Sequence, residues 1–113
     1  HFFRIAARAM RQILVDAARR RNARKRGAGV AVITYDDAAS ATPTSADELL
    51  GLDAALDQLA RLSPRQATMV ESRFFGGLET REIAEELGIS EATVLRDWRA
   101  AKAWLGRELQ RSL

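Results

Sequence analysis

The sequence predicts an all-α protein, in which a four-helix domain containing a helix-turn-helix is preceded by one long amphipathic basic helix and a linker. Three observations carry this expectation. Apolar residues recur at spacings of three and four through most of the chain. Helix start and stop signals punctuate it. The composition, 47% apolar, 29% charged and only 6% aromatic over 113 residues, suits a small soluble helical protein of one ordinary domain or two very small ones.

From Phe2 to about Arg26, the residues Phe2, Ala6, Ala9, Met10, Ile13, Leu14 and Ala17 form the apolar stripe of an amphipathic helix. The bases fall largely off that stripe. Residues Arg19 to Arg26 are almost wholly basic, an arrangement the helix macrodipole favours at a C-terminus, and Gly27 and Gly29 are placed to end the helix. Residues 28–46 read as a linker, with a short β-prone run at Val30 to Tyr35 followed by Ala, Ser and Thr around Pro43.

Four helical signals follow. Ser45 with Glu48 has the spacing of a capping box, and Leu49, Leu52, Leu56 and Leu59 share one face behind it. Ser63, Pro64 and Gln66 start a second helix with Pro at its first position, Ala67, Val70 and Phe74 supply its stripe, and Gly76 and Gly77 stop it. A short third helix runs from about Thr80 to Leu87 and ends at Gly88. The fourth begins behind Ser90 as N-cap and carries Val94, Trp98, Ala101 and Leu105 on a single face to about Leu109.

Composition also excludes function classes. Arg, Asp or Glu interrupts every apolar run before it reaches the roughly 20 residues of a membrane span, and no secretory signal pattern is present. With zero Cys there are no disulfides, thiolate metal sites or Cys nucleophiles, which suits a reducing cytoplasm. A single His, at position 1, leaves almost nothing for imidazole catalysis or zinc; no nucleophile and base, metal-ligand spacing or Gly-rich phosphate loop points to an enzyme, a metal or a cofactor. A chain that opens on His1 reads as a fragment or a processed product.

The net charge of +3 divides unevenly. Residues 1–30 hold nine bases against Asp16 alone, residues 31–60 hold six acids and no base, and residues 61–113 hold nine bases and eight acids. A basic head suggests a polyanionic partner, and an acidic middle something different.

The segment from Thr80 to Val94 has the layout of a helix-turn-helix. Ala84 is small where two steeply crossing helices come closest. Gly88 suits the positive φ of the turn. Ile83, Leu87, Ile89 and Val94 are spaced to meet beneath it, and Trp98 at core spacing packs behind them. An ordinary helical hairpin with a Gly turn is the plain alternative.

In a helix-turn-helix the helix 91–109 is the recognition helix, and at about 100° per residue its outer face follows. Val94, Trp98, Ala101 and Leu105 point inward; Ala92, Arg96, Arg99 and Ala103 lie opposite. Arg96 and Arg99 are then the side chains expected at base edges, since Arg is shaped for bidentate contact with guanine, and Lys102 flanks them for phosphate. Ser90, Ala92 and Thr93 at the helix start allow close backbone approach and a phosphate at the helix N-terminus. The alternative is that Arg96 and Arg99 form only a solvated face.

The residues Leu62-Ser-Pro-Arg-Gln, Phe74-Phe-Gly-Gly-Leu, Glu82-Ile-Ala-Glu-Glu-Leu-Gly-Ile-Ser-Glu-Ala-Thr-Val and Arg96-Asp-Trp-Arg-Ala-Ala-Lys-Ala-Trp-Leu resemble region 4 of bacterial RNA polymerase sigma factors of the extracytoplasmic-function (ECF) type. The opening His1-Phe-Phe, with Met10-Arg-Gln-Ile-Leu-Val-Asp-Ala-Ala-Arg and Lys25-Arg-Gly, is similar to the last helix of region 2. The resemblance divides the chain into 1–27, the end of region 2; 28–46, an acidic linker; and 47–113, region 4. It implies that region 4 reads the promoter −35 element and docks on the flap of the polymerase β subunit. It implies that the region 2 helix serves −10 recognition through Arg11, Arg19 and Arg20, and that Tyr35, Asp36 and Asp37 thread the polymerase as a nucleic-acid mimic, unless these acids merely keep the linker solvated.

Two departures from the pattern stand out. Leu95 occupies a position where such helices usually carry a polar or basic residue, so a thymine-methyl contact replaces a polar one. The resemblance also implies that the earlier helices of region 2, which supply its main polymerase-binding surface toward the β′ subunit and much of its fold, are missing from this sequence, so the first helix is expected to dock on the region 4 helices or on another copy of itself. An anti-sigma factor is a further expected partner and a membrane is not. Competing readings are a helix-turn-helix regulator of the response-regulator type and a helical protein-interaction module.

Overall fold

The computed structural model describes residues 2–28 and 45–111, with side chains for 2–24 and 45–111. His1, the run Val30 to Tyr35, the pair Asp36 and Asp37, and the stop at Gly29 lie outside the described residues. Those described form five helices and no strand: α1 (Phe2–Ala28), α2 (Ala46–Leu62), α3 (Pro64–Phe74), α4 (Thr80–Leu87) and α5 (Glu91–Arg111). The all-α expectation therefore holds, as one long helix followed by four.

Local chemistry sets the boundaries. Ser45 Oγ accepts the Glu48 N–H at 3.1 Å to open α2, and Ser63 Oγ accepts the Gln66 N–H at 3.3 Å to open α3, with Pro64 at its first turn. α3 ends where Gly77, at φ +67, donates its N–H to the Arg73 carbonyl. Glu79 N–H donates to the Glu82 carboxylate at 2.9 Å ahead of α4. α1 continues one residue past Gly27, and α5 two past Leu109.

Two apolar clusters share α3. One joins α2, α3 and α5 through Leu52, Leu56, Leu59, Val70, Ala101 and Leu105. The other lies under the α4–α5 turn. Phe75, not Phe74, enters the first cluster, because α3 ends at Phe74 and the turn swings the next side chain inward; Phe74 remains 49% exposed and meets the Phe75 ring edge-on at 4.9 Å.

α1 packs on α2 and α3, but not by the stripe the sequence suggests. Its buried residues are Ala7, Val15 and Ala18, with Arg11 between them. At about 100° per residue this face lies roughly 130° around the helix from the centre of the stripe. Phe2, Ile5, Met10 and Ile13 face outward, with Phe2 at 73% exposure. The reason is chemical: α2 and α3 present carboxylates to α1, so the face bearing Arg11 and small side chains fits them. Periodicity alone ranked the larger apolar residues first and could not weigh an ionic partner distant in sequence.

Candidate nucleic-acid interface

α4 and α5 are joined at Gly88, whose φ of +66 and ψ of +35 place it in the left-handed region. No atom lies within 4 Å of where a Cβ would stand, so backbone conformation, not crowding, requires glycine here. Ile89 N–H donates to the Ala84 carbonyl at 3.1 Å and Gly88 N–H to the Glu85 carbonyl at 3.4 Å, which satisfies carbonyls left open at the end of α4. Beneath the turn, Ile83, Ala84 and Val94 are buried with Met69 and Leu78, and Leu87 and Ile89 pack against them. Met69 from α3 is fully buried and fastens the helix-turn-helix to the rest of the bundle.

Ser90 caps α5. Its Oγ accepts the Thr93 N–H at 3.1 Å and lies 2.9 Å from the Thr93 hydroxyl, so both side chains serve the helix start. Along α5 the two faces separate cleanly. Val94, Asp97, Ala101 and Leu105 are buried, and Trp98 is partly buried against the first cluster. Ala92, Arg96 and Arg99 are exposed on the opposite face, and Leu95 and Lys102 are exposed on its flank. No carboxylate among the described residues pairs with Arg96, Arg99 or Lys102, so three cations stand along one side of one helix. Between them Leu95, 43% exposed, offers an apolar contact.

Two interactions under this surface escape a reading by apolar spacing. Asp97 is buried on the inner face of α5 and pairs with Arg65 in the first turn of α3; its buried Oδ2 has no aligned hydrogen bond, so the ion pair is its compensation. Arg73 sits over the Trp98 ring at 5.0 Å from the centroid and donates to Thr80 Oγ1 at 3.3 Å. Arg65 and Arg73 thus tie α3 to both helices of the motif. The available signal was Asp97 standing at a helical spacing of three and four from Val94 and Ala101, a charge on an otherwise inward face.

The bases of α1 divide. Arg11 Nε donates to Asp53 Oδ1 at 2.8 Å, Nη1 to Glu71 Oε2 at 2.8 Å, and Nη2 to the Asp53 carbonyl at 3.0 Å and to Asp57 Oδ1 at 2.9 Å. Its side chain is 16% exposed, as are those of Asp53 and Glu71. Burial works against the Arg11 charge, but hydrogen bonds to Glu71 and Asp53 and the charges of both outweigh it, holding its pKa above the ordinary arginine value. Arg19 lies 3.4 Å from Asp16 and 3.6 Å from Asp53. Arg20 is exposed. The three are therefore not brought together on one open surface, and Arg11 faces α2 and α3.

Among the described residues no group of His, Asp or Glu is arranged to hold a metal ion, and no helix is long and apolar enough to cross a membrane. No curated protein and no solved structure matches this chain. The family description ECF sigma factor matches residues 1–111, spanning α1, the acidic segment and the four-helix domain in one continuous match. The chain belongs to the ECF sigma factor family, whose members serve transcription initiation.

Proposed function

We propose that the chain helps direct RNA polymerase core to promoters and that its four-helix domain reads the −35 element through α5. The observation that carries this is the division of α5 into a buried inner face and an outer side bearing Arg96, Arg99 and Lys102, with no carboxylate partner among the described residues. Arg96 and Arg99 are one turn apart, the spacing for neighbouring base pairs in a major groove, and each suits the O6 and N7 acceptors of guanine. Lys102 lies further along for phosphate, Leu95 faces a thymine methyl, and Ser90, Ala92 and Thr93 bring the helix N-terminus to the backbone.

The bases of α1, with Arg11, Arg19 and Arg20 among them, supply the −10 contact in the same reading. The protein partners are the β flap and β′ subunit of the polymerase core and an anti-sigma factor, and the setting is the cytoplasm. The exposed apolar stripe of α1 is a surface for self-association.

Selection of duplexes from a random library tests the reading. The chain is expected to enrich one short motif, and Arg96→Ala and Arg99→Ala each to weaken binding by about 1 to 3 kcal/mol while relaxing preference at a single position. Enrichment of no motif would overturn it.

A further inference from the structure

We infer that the acidic face formed by Asp53, Asp57 and Glu71 is an intramolecular docking surface for α1, and that the closed arrangement masks Arg11 from nucleic acid. This rests on the reading of α1 as a promoter-contacting helix.

The guanidinium has five N–H donors, and its three nitrogens here engage two carboxylates of α2, a backbone carbonyl of α2 and a carboxylate of α3. A phosphate approaching Arg11 would meet three negative charges and few open donors, so this arginine serves either the acidic face or a polyanion, never both. Other polar contacts run along the seam: Arg19 lies 3.6 Å from Asp53, and at the start of α1 the Phe3 backbone hydrogen-bonds Glu86 of α4. Asn22 Nδ2 donates to Asp47 Oδ1 at 2.8 Å near the far end of the seam. With only Ala7, Val15 and Ala18 as buried apolar side chains of α1 among the described residues, the seam leans on its charges, and charges are what nucleic acid or salt competes for. The cleft beside it, about 220 Å³, is lined by Arg8, Gln12 and Arg19 as well as by the cluster, which gives a competing polyanion a point of entry.

α1 docks on α2 and α3 and touches Glu86 of α4 at its start, whereas the outer face of α5 carries Arg96 and Arg99. The −35 surface therefore stays open while Arg11 is closed. The two nucleic-acid surfaces are gated separately: the first can be engaged before the second is released.

The chain has no native Cys, so the variant Asn22→Cys/Asp47→Cys carries a unique thiol pair across the seam. A short bis-methanethiosulfonate would lock it, and reductant would release it in the same sample. The probe is a fluorescein-labelled oligo(dT) single strand read by anisotropy. Locking is expected to weaken binding on the order of tenfold, the worth of one charge-assisted contact, and to make no difference once Arg11→Gln is added. Failure of the two thiols to cross-link in the folded chain would overturn the closed arrangement. Cross-linking with oligo(dT) affinity equal in locked and released forms would overturn the masking. The duplex motif selected by the chain is measured alongside and is expected to bind both forms equally; if no duplex motif exists, the −35 reading fails, while the cross-linking and oligo(dT) results still decide the latch.

Discussion

Arg65, in the first turn of α3, and Asp97, on the buried side of α5, form an ion pair that fixes α5 against α3 from beneath. The two ends are unequal, since the Arg65 side chain is 47% exposed and that of Asp97 is 10%. Loss of one partner therefore differs from loss of the other.

Arg65→Ala strands a buried carboxylate, whereas Asp97→Asn returns a guanidinium to water. The first is expected to cost about 1 to 3 kcal/mol and the second less than about 1 kcal/mol. Urea denaturation of both variants checks the order; equal costs, or the reverse order, would contradict a pairing that matters to α5.

Two glycines separate two kinds of backbone constraint. At Gly76 a Cβ would stand 2.6 Å from the Ser72 carbonyl oxygen and 3.0 Å from the Ala7 Cβ of α1. Gly76→Ala is expected to lose about 1 to 3 kcal/mol by overpacking. At Gly88 the space is open and only φ of +66 opposes a side chain, so Gly88→Ala should lose about 1 to 2 kcal/mol, and Gly88→Asn less, because Asn tolerates that region. Thermal unfolding distinguishes them: Asn relieves the penalty only at position 88.

The raised pKa of Arg11 fixes the sign of its pH dependence. A base whose folded pKa lies above its unfolded value contributes fully below the unfolded value and is lost only as pH rises through the folded one. Both lie beyond the alkaline limit of ordinary stability. Titration from about pH 7 to about pH 10 should leave the contribution of Arg11 unchanged, so the stability difference between wild type and Arg11→Gln stays constant across that window. A difference that shrinks with rising pH would contradict the assignment.

The cation–π contact of Arg73 with Trp98 predicts a spectroscopic signature. Arg73→Met keeps much of the stem and removes the charge over the ring, with an expected cost of about 0.5 to 1 kcal/mol. Trp98 emission should shift in a Trp104→Phe background, where it is the sole indole. An unchanged spectrum would show that the guanidinium does not sit over the ring.

The helices of the four-helix domain were legible because local chemistry writes them: Ser45, Ser63 and Ser90 cap, Pro64 starts, Gly88 ends, and the Leu stripe of α2 packs where its spacing points. What escaped were long-range ionic partnerships. Arg11 meets Asp53 and Glu71, which are 42 and 60 residues away, and no periodicity encodes such a pairing. Hence apolar spacing points to one face of α1 while its ionic partners select another, and Asp97 is a charge on a face that apolar spacing alone marks as inward. The exchange of Phe74 for Phe75 in the core has a smaller cause, the position of a helix end.

The outer face of α5 carries the central claim, and binding to the duplex motif selected by the chain tests it most directly. Arg96→Ala and Arg99→Ala should each weaken that binding by about 1 to 3 kcal/mol and broaden preference at one base pair, while Lys102→Ala weakens all duplexes alike and lowers the salt slope by about 1. Binding that keeps its sequence preference in both arginine variants would contradict recognition through α5.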